Sequence, residues 1–267
     1  MRREAKRAAR SVEESTPVRW AARAGFAGNG LVHLLMGVII LVVVFGGEGE
    51  SDQAGAFKAL AAAPFGLFAL WALVIAVTAL GVYYVVEGLL VRDRSTVAKW
   101  RRRAVEWGKA VIYLALGFIA GAIALGARPQ GDRSLQQAST ALLQMPGGPW
   151  LLGAIGLTVL GSGIAFAVMG VLTRFRPFMV IPGGVLGVAV IGLGVIGYIA
   201  KGIALGIVGV LLTMAAVTVD GSYAGGFDGA VEALVALPFG SWLGGAVGAG
   251  FLAYALFLFA RTRYADI

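Results

Sequence analysis

The chain has no cysteine and a single histidine, His33. Without thiols there are no disulfides, no thiolate nucleophile and no cysteine-held metal cluster. One histidine with no carboxylate pair near it supplies neither a metal site nor a Ser-His-acid triad. Charge is also scarce. Asp, Glu, Lys and Arg make up 13% of 267 residues, too little for an ordinary water-exposed surface. No catalytic residue, metal or cofactor is expected, and the chain reads as a non-enzymatic protein.

What is present is apolar. Hydrophobic residues make up 59% and the mean hydropathy is +0.86, and they fall in blocks of about twenty residues, the length a helix needs to cross ~30 Å of hydrocarbon. Six blocks run roughly from Gly25 to Phe45, Leu67 to Val91, Ala104 to Leu125, Trp150 to Leu172, Val188 to Val217 and Trp242 to Ala260. They are continuous rather than alternating, which favours helices over barrel strands, and only a helix satisfies its own backbone in lipid. The positive N-terminal stretch followed by an apolar run imitates a signal peptide, but the run is long and lacks a convincing small-residue cleavage site, so it is expected to be a retained first helix.

Bases outnumber acids, for a net charge of +8, and their placement decides what that charge means. Lys and Arg crowd the N-terminal tail, the second connection (Arg92 to Arg103), Arg174 and Arg176, and the C-terminal Arg261 and Arg263. Glu48, Glu50, Asp52, Asp132, Asp220, Asp228 and Glu232 lie in the alternate connections. By the positive-inside rule both termini are cytoplasmic and the three longer, acidic connections face outward. The basic segments then suit anionic lipid headgroups rather than nucleic acid.

Laid on itself, the chain is one two-helix unit written three times. Gly28 superimposes on Gly108, Asn29 on Lys109 and Lys201, and Gly37 on Gly117 and Gly209. In the second helices, Pro64-Phe-Gly66 aligns with Pro146-Gly-Gly148 and Pro238-Phe-Gly240, and Phe68 with Trp150 and Trp242. An even number of spans per copy keeps all copies in one orientation, so the expected fold is all-α: six transmembrane helices as three parallel two-helix repeats with pseudo-threefold symmetry. The parts are a basic tail (1–22) and repeats at 23–94, 95–176 and 177–267. Ahead of each Pro-x-Gly a short apolar-periodic stretch (Ala56 to Ala63, Leu135 to Met145, Ala230 to Leu237) predicts a short interfacial helix, with Phe68, Trp150 and Trp242 as anchors. Residues 177–195 either lengthen the fifth helix or form an interfacial piece around Ile181-Pro-Gly-Gly184.

The repeated pattern Gly-aromatic-x-x-basic-Gly, best seen in Gly197-Tyr-Ile-Ala-Lys201-Gly202, together with the Pro-Phe-Gly, resembles the bacterial membrane family catalogued as domain of unknown function 1206. Copy one departs with Asn29 at the basic position and His33 at the following tyrosine position; copy two opens with Val105-Glu106. The resemblance spans about residues 23 to 264. It implies the fold and a multi-pass protein of the bacterial plasma membrane, and it supplies no activity.

Glycine is abundant, with 41 residues. Gly240, Gly244 and Gly248 form a small-xxx-small ladder, and the pairs Gly117/Gly121 and Gly202/Gly206 repeat the spacing, as close helix packing in lipid requires. Intramembrane ionisable residues are costly, so His33, Glu87, Lys109 and Lys201 are the default functional candidates. Asn29, Lys109 and Lys201 share one repeat position, with His33 and Tyr113 one turn deeper, and Glu87 lies at a level where it could pair with either lysine. Both lysines are also short enough of the cytoplasmic headgroups, by ~10 to 14 Å, to snorkel. The reading favoured is a protein that binds or transports a small anionic or lipid-like ligand at these six residues. The alternative is a scaffold that holds membrane lipid without transport. Oligomeric state is left open.

Overall fold

The computed structural model describes residues 16–91 and 95–264. Most of the expected basic tail, and Arg92 and Arg94, lie outside the described residues. Among those described are nine α-helices: α1 (Thr16–Val44), α2 (Gln53–Ala62), α3 (Gly66–Leu90), α4 (Thr96–Ala124), α5 (Gly131–Leu143), α6 (Gly148–Val171), α7 (Gly184–Thr218), α8 (Phe227–Val235) and α9 (Gly240–Tyr264). Six of them, α1, α3, α4, α6, α7 and α9, are long and apolar enough to span a membrane. The three short ones, α2, α5 and α8, precede the Pro-x-Gly motifs, as the apolar period predicts. Each starts a few residues before that period, because Asp52, Asp132 and Asp228 stand at or in the first turn, where a carboxylate meets free backbone N–H groups. The fifth span takes up the ambiguous segment: Ile181 to Gly183 stay outside it and α7 begins at Gly184.

The Pro-x-Gly junction folds the same way three times. The residue after proline is left-handed, with φ of 57° at Phe65, 77° at Gly147 and 61° at Phe239. That breaks the short helix and starts the long one at once. The closing bonds match: Ala63 N–H to Leu60 O at 3.1 Å, Met145 N–H to Leu142 O at 3.0 Å and Leu237 N–H to Leu234 O at 3.1 Å. The motif's last glycine is required for space, since a Cβ on Gly66, Gly148 or Gly240 would strike the carbonyl oxygen of Leu60, Leu142 or Leu234. Just beyond, Phe68, Trp150 and Trp242 are 80%, 86% and 76% exposed, the orientation of interfacial anchors.

The chain forms two compact units, one of residues up to Gly28 with Leu60–Arg128, the other of Asn29–Ala59 with Pro129–Asp266. In the first, α3 packs on α4; in the second, α6 packs on α7 and α9 on α1. One contact recurs in all three pairs. A Cβ on Gly117 would lie 2.5 Å from Thr78 Oγ1. One on Gly209 would meet the backbone of Leu160, and one on Gly37 would lie 3.0 Å from Leu252 N. Thr78, Leu160 and Leu252 are themselves equivalent positions, so the repeat's intimate interface joins the second helix of one copy to the first helix of the next, with copy three served by copy one. The ladder on α9 belongs to this interface, because Gly244 faces Val44 and Gly248 faces Leu41 and Ile40. Gly250, off that stripe, is also packed, with Ala200 of α7 against it. The second unit is accordingly the better buried, with Phe251, Phe257, Leu258, Phe175 and Met36 fully enclosed.

Candidate functional site

The six sequence-defined candidates divide between the two units. In the second, α1 carries Asn29 and, one turn on, His33, which is 6% exposed. His33 Nδ1 lies 2.8 Å from the Asn29 carbonyl oxygen. A carbonyl only accepts, so Nδ1 donates and the lone pair rests on Nε2. Lys201 Nζ, from α7, lies 3.4 Å from that Nε2. The ammonium is also 5.0 Å from the ring centres of both Phe166 and Tyr254. His33 is clamped by Phe251, stacked at 5.7 Å, and by Tyr254, edge-on at 4.9 Å. Phe175, Tyr198 and Phe257 extend the aromatic wall.

These partners come together for a reason visible in the backbone. Gly197 lets Tyr254 of α9 press against α7, with its Cα 2.5 Å from where a Cβ would stand. Gly163 and Gly202 bring the α6 and α7 backbones together, each carbonyl facing the other's missing side chain. Four helices therefore converge at the level of Lys201, which lies ~26 Å from the end of α7 at Thr218 on a 1.5 Å rise. No carboxylate pairs with Lys201 among the described residues; its neighbours are a neutral imidazole and two ring faces.

In the first unit, Lys109 on α4 is compensated. Its Nζ lies 2.8 and 2.9 Å from the two oxygens of Glu106, one turn back on the same helix, and 4.9 Å from the centre of the Tyr84 ring. Tyr113 stacks on Tyr84 at 5.6 Å. Glu87 is half-buried on α3, beside Gly88, whose bare backbone accommodates the Trp107 ring. Tyr84 and Phe166 are equivalent in the repeat, so a lysine over an aromatic ring of the preceding span is the shared structural element of copies two and three. Copy one replaces the pair by Asn29 and Leu258.

A second cluster was missed in the sequence, where its members counted only as acidic connections. Asp52, 7% exposed, accepts from Gly55 N–H at 2.7 Å through Oδ1. Its Oδ2 lies where a Cβ on Gly131 would be. Asp132 Oδ2 accepts from Gly229 N–H at 2.7 Å, and its buried Oδ1 has no hydrogen-bond partner. Asp228 Oδ1 accepts from Ser51 N–H. Lys58 and Glu50 pair alongside at 2.5 Å. Burial pushes the Asp228 carboxyl up to about 7, with Asp52 adding repulsion and the Ser51 bond opposing it; burial likewise raises Asp52. The signal that could have found them is position: each acid stands at the opening of an apolar-periodic stretch, the place of a helix cap.

Comparison with known proteins agrees with the repeat. The sequence profile of the family described as Domain of Unknown Function (DUF1206) matches residues 24–90, 107–173 and 196–265. An uncharacterized protein of Bacillus subtilis (strain 168), YxxB, is 25% identical over 259 residues, covering 94% of this chain and 93% of that one. No solved structure matches. With three profile matches over most of its length, the chain belongs to the DUF1206 family, and its six membrane-length helices in three copies are those of a multi-pass membrane protein.

Proposed function

We propose that the protein binds, and in a transport cycle carries, a small anionic or lipid-like ligand, with the Lys201 ammonium as its anchor. The supporting observation is a half-buried positive charge that no carboxylate answers among the described residues. A lysine at the centre of a membrane helix costs ~2.5–3.5 kcal/mol. A cation–π contact returns ~0.5–2 kcal/mol, so two rings at the lower end of that range leave part of the cost uncovered. An anionic headgroup or solute supplies the remainder, and His33, held by the Asn29 carbonyl, stands beside the ammonium to orient it. Such a role needs no catalytic group, and the proposal is of a non-enzymatic protein in the bacterial plasma membrane, with cytoplasmic termini whose basic sequences suit anionic lipid.

The test is native mass spectrometry of the detergent-purified chain with phosphatidylglycerol, phosphatidylcholine or inorganic phosphate added. Lys201→Gln should weaken retention of the anionic species about tenfold, the effect of ~1.4 kcal/mol of lost interaction, while Lys109→Gln and the solvated Lys99→Gln change it less than about twofold. Equal losses at all three lysines would leave a scaffold with an ordinary basic surface. Orientation has its own check. Cysteines at Glu48, Ser134 and Ser222, all exposed, should label from outside intact cells and one at Ser95 should not; Ser51 is too buried to report.

A further inference from the structure

Each of the three repeats contributes one carboxylate to the acidic side, and each carboxylate reaches into another repeat. Asp52 of repeat one lies against Gly131 at the start of α5. Asp132 of repeat two accepts from Gly229 in the first turn of α8. Asp228 of repeat three accepts from Ser51 ahead of α2. The exchange is cyclic, one to two, two to three and three to one. It ties together the starts of the three short helices, all within the second unit.

Of the three, Asp52 and Asp228 are held close enough to repel each other and sheltered enough from water to resist being charged together. The groups facing them are few. From the loop before α2 comes Glu50 and from α2 itself Lys58, which pair with each other. On α5 and α8 themselves Arg133 and Glu232 are exposed, and the turns of α7 (Leu211–Thr218), α9 (Gly240–Gly250) and the end of α1 carry no titratable side chain. Lys58 opposes the rise at Asp52 less than burial and the neighbouring acids promote it, and Asp132 Oδ1 is buried without a hydrogen-bond partner.

We infer that the cyclic contacts of Asp52, Asp132 and Asp228 form a proton-operated latch, closed while Asp52 or Asp228 holds a proton and loosened once both are charged. The sign follows from linkage. A carboxyl raised in the closed state, as Asp228 is from 3.8 to about 7, binds a proton that the opened, solvated state releases. Closure is therefore favoured at acid pH and weakens as pH rises from about 4 to about 7. Above that window no further change is expected. Since the latch holds α2, α5 and α8, each of which turns directly into a membrane-length helix at its Pro-x-Gly, it sets how freely those helix ends move.

The experiment is double electron–electron resonance on the full chain in detergent, with spin labels at Gln137→Cys on α5 and Val235→Cys on α8; the absence of native cysteine makes both labels unique. The wild-type background should give a narrow distance distribution at pH 5 that broadens at pH 8. Asp228→Asn, which keeps an oxygen for Ser51 N–H and removes the charge, should stay narrow at both. A wild-type distribution that is the same at both pH values overturns the latch, and so does an Asp228→Asn protein that broadens as much as wild type. Should Asp228→Asn fail to fold, Asp52→Asn, which keeps an oxygen for Gly55 N–H, serves in its place. The thermal midpoint of wild type must also fall as pH rises between 5 and 7; a flat or rising midpoint overturns the inference.

Discussion

Lys109 and Lys201 occupy one position in successive copies of the repeat, and each lies over an aromatic ring from the preceding span, Tyr84 or Phe166. Yet the two are chemically opposite. Lys109 is matched by Glu106 one turn away and its side chain is 43% exposed. Lys201 faces a neutral imidazole and a second ring, Tyr254. The difference shows what duplication fixes and what it leaves free. Glycine spacing and the aromatic seat set where the lysine stands. The residues around it, Glu106 in one copy and His33 in the other, decide whether its charge is spent inside the protein or held available.

The packing around the two lysines differs in the same sense, and this carries the largest expected effect. Gly163 meets backbone on the facing helix, Gly206 N at 2.6 Å and Gly202 O at 2.7 Å from an added Cβ. Its counterpart Gly81 mostly meets the Leu114 side chain, at 2.8 Å. Side chains can rotate away and backbones cannot. Gly163→Leu should cost about 3 kcal/mol or more and Gly81→Leu nearer 1 kcal/mol, the two ends of the overpacking range. Thermal unfolding in detergent measures both; equal midpoints would mean that the two units are packed alike.

Much of this architecture is legible in residue order, because each element has a local cause. Six apolar blocks give six spans, and Pro-x-Gly gives three breaks. What the order does not show is where the helices extend beyond hydrocarbon. Thr96 to Arg103 is polar and basic, so hydropathy ends the span near Ala104, but Ser95 caps the helix and good helix formers carry it back a further two turns. The site was half legible. The repeat alignment finds Lys109 and Lys201 together and treats them as equals. Glu106 was visible as a departure from the motif, but a neighbour three residues back becomes a counterion only once a helix places it on the same face. The meeting of His33 with Lys201, from opposite ends of the chain, and the acid exchange on the other side depend on tertiary contacts that no local pattern encodes.

If Lys201 is held at a cost for the sake of a ligand, removing its charge should stabilise the empty protein. Lys201→Met keeps the length and fills the space between Phe166 and Tyr254 with an apolar chain. It should raise stability by about 1 kcal/mol, the desolvation cost less the lost cation–π contacts, while weakening anion retention. Lys109→Met should lower stability slightly. A stability loss at Lys201 as large as that expected for Gly81→Leu would mark it as a packing residue and close the difference between the two lysines.

The smallest effect on stability is the sharpest test of what separates them. Glu106→Gln leaves Lys109 in its seat over Tyr84 and takes away only the answering charge, so that copy two acquires the electrostatics of copy three. A partly exposed pair at this spacing contributes ~0.3–0.5 kcal/mol, and the thermal midpoint should barely move. If an unanswered lysine at this position is what attracts an anion, the variant should retain phosphatidylglycerol more strongly than wild type, and the gain should disappear on adding Lys109→Gln. If retention is unchanged, charge compensation is not what distinguishes the copies. The recognition would then reside in His33 and the Phe166 and Tyr254 rings, which the third copy's lysine contacts.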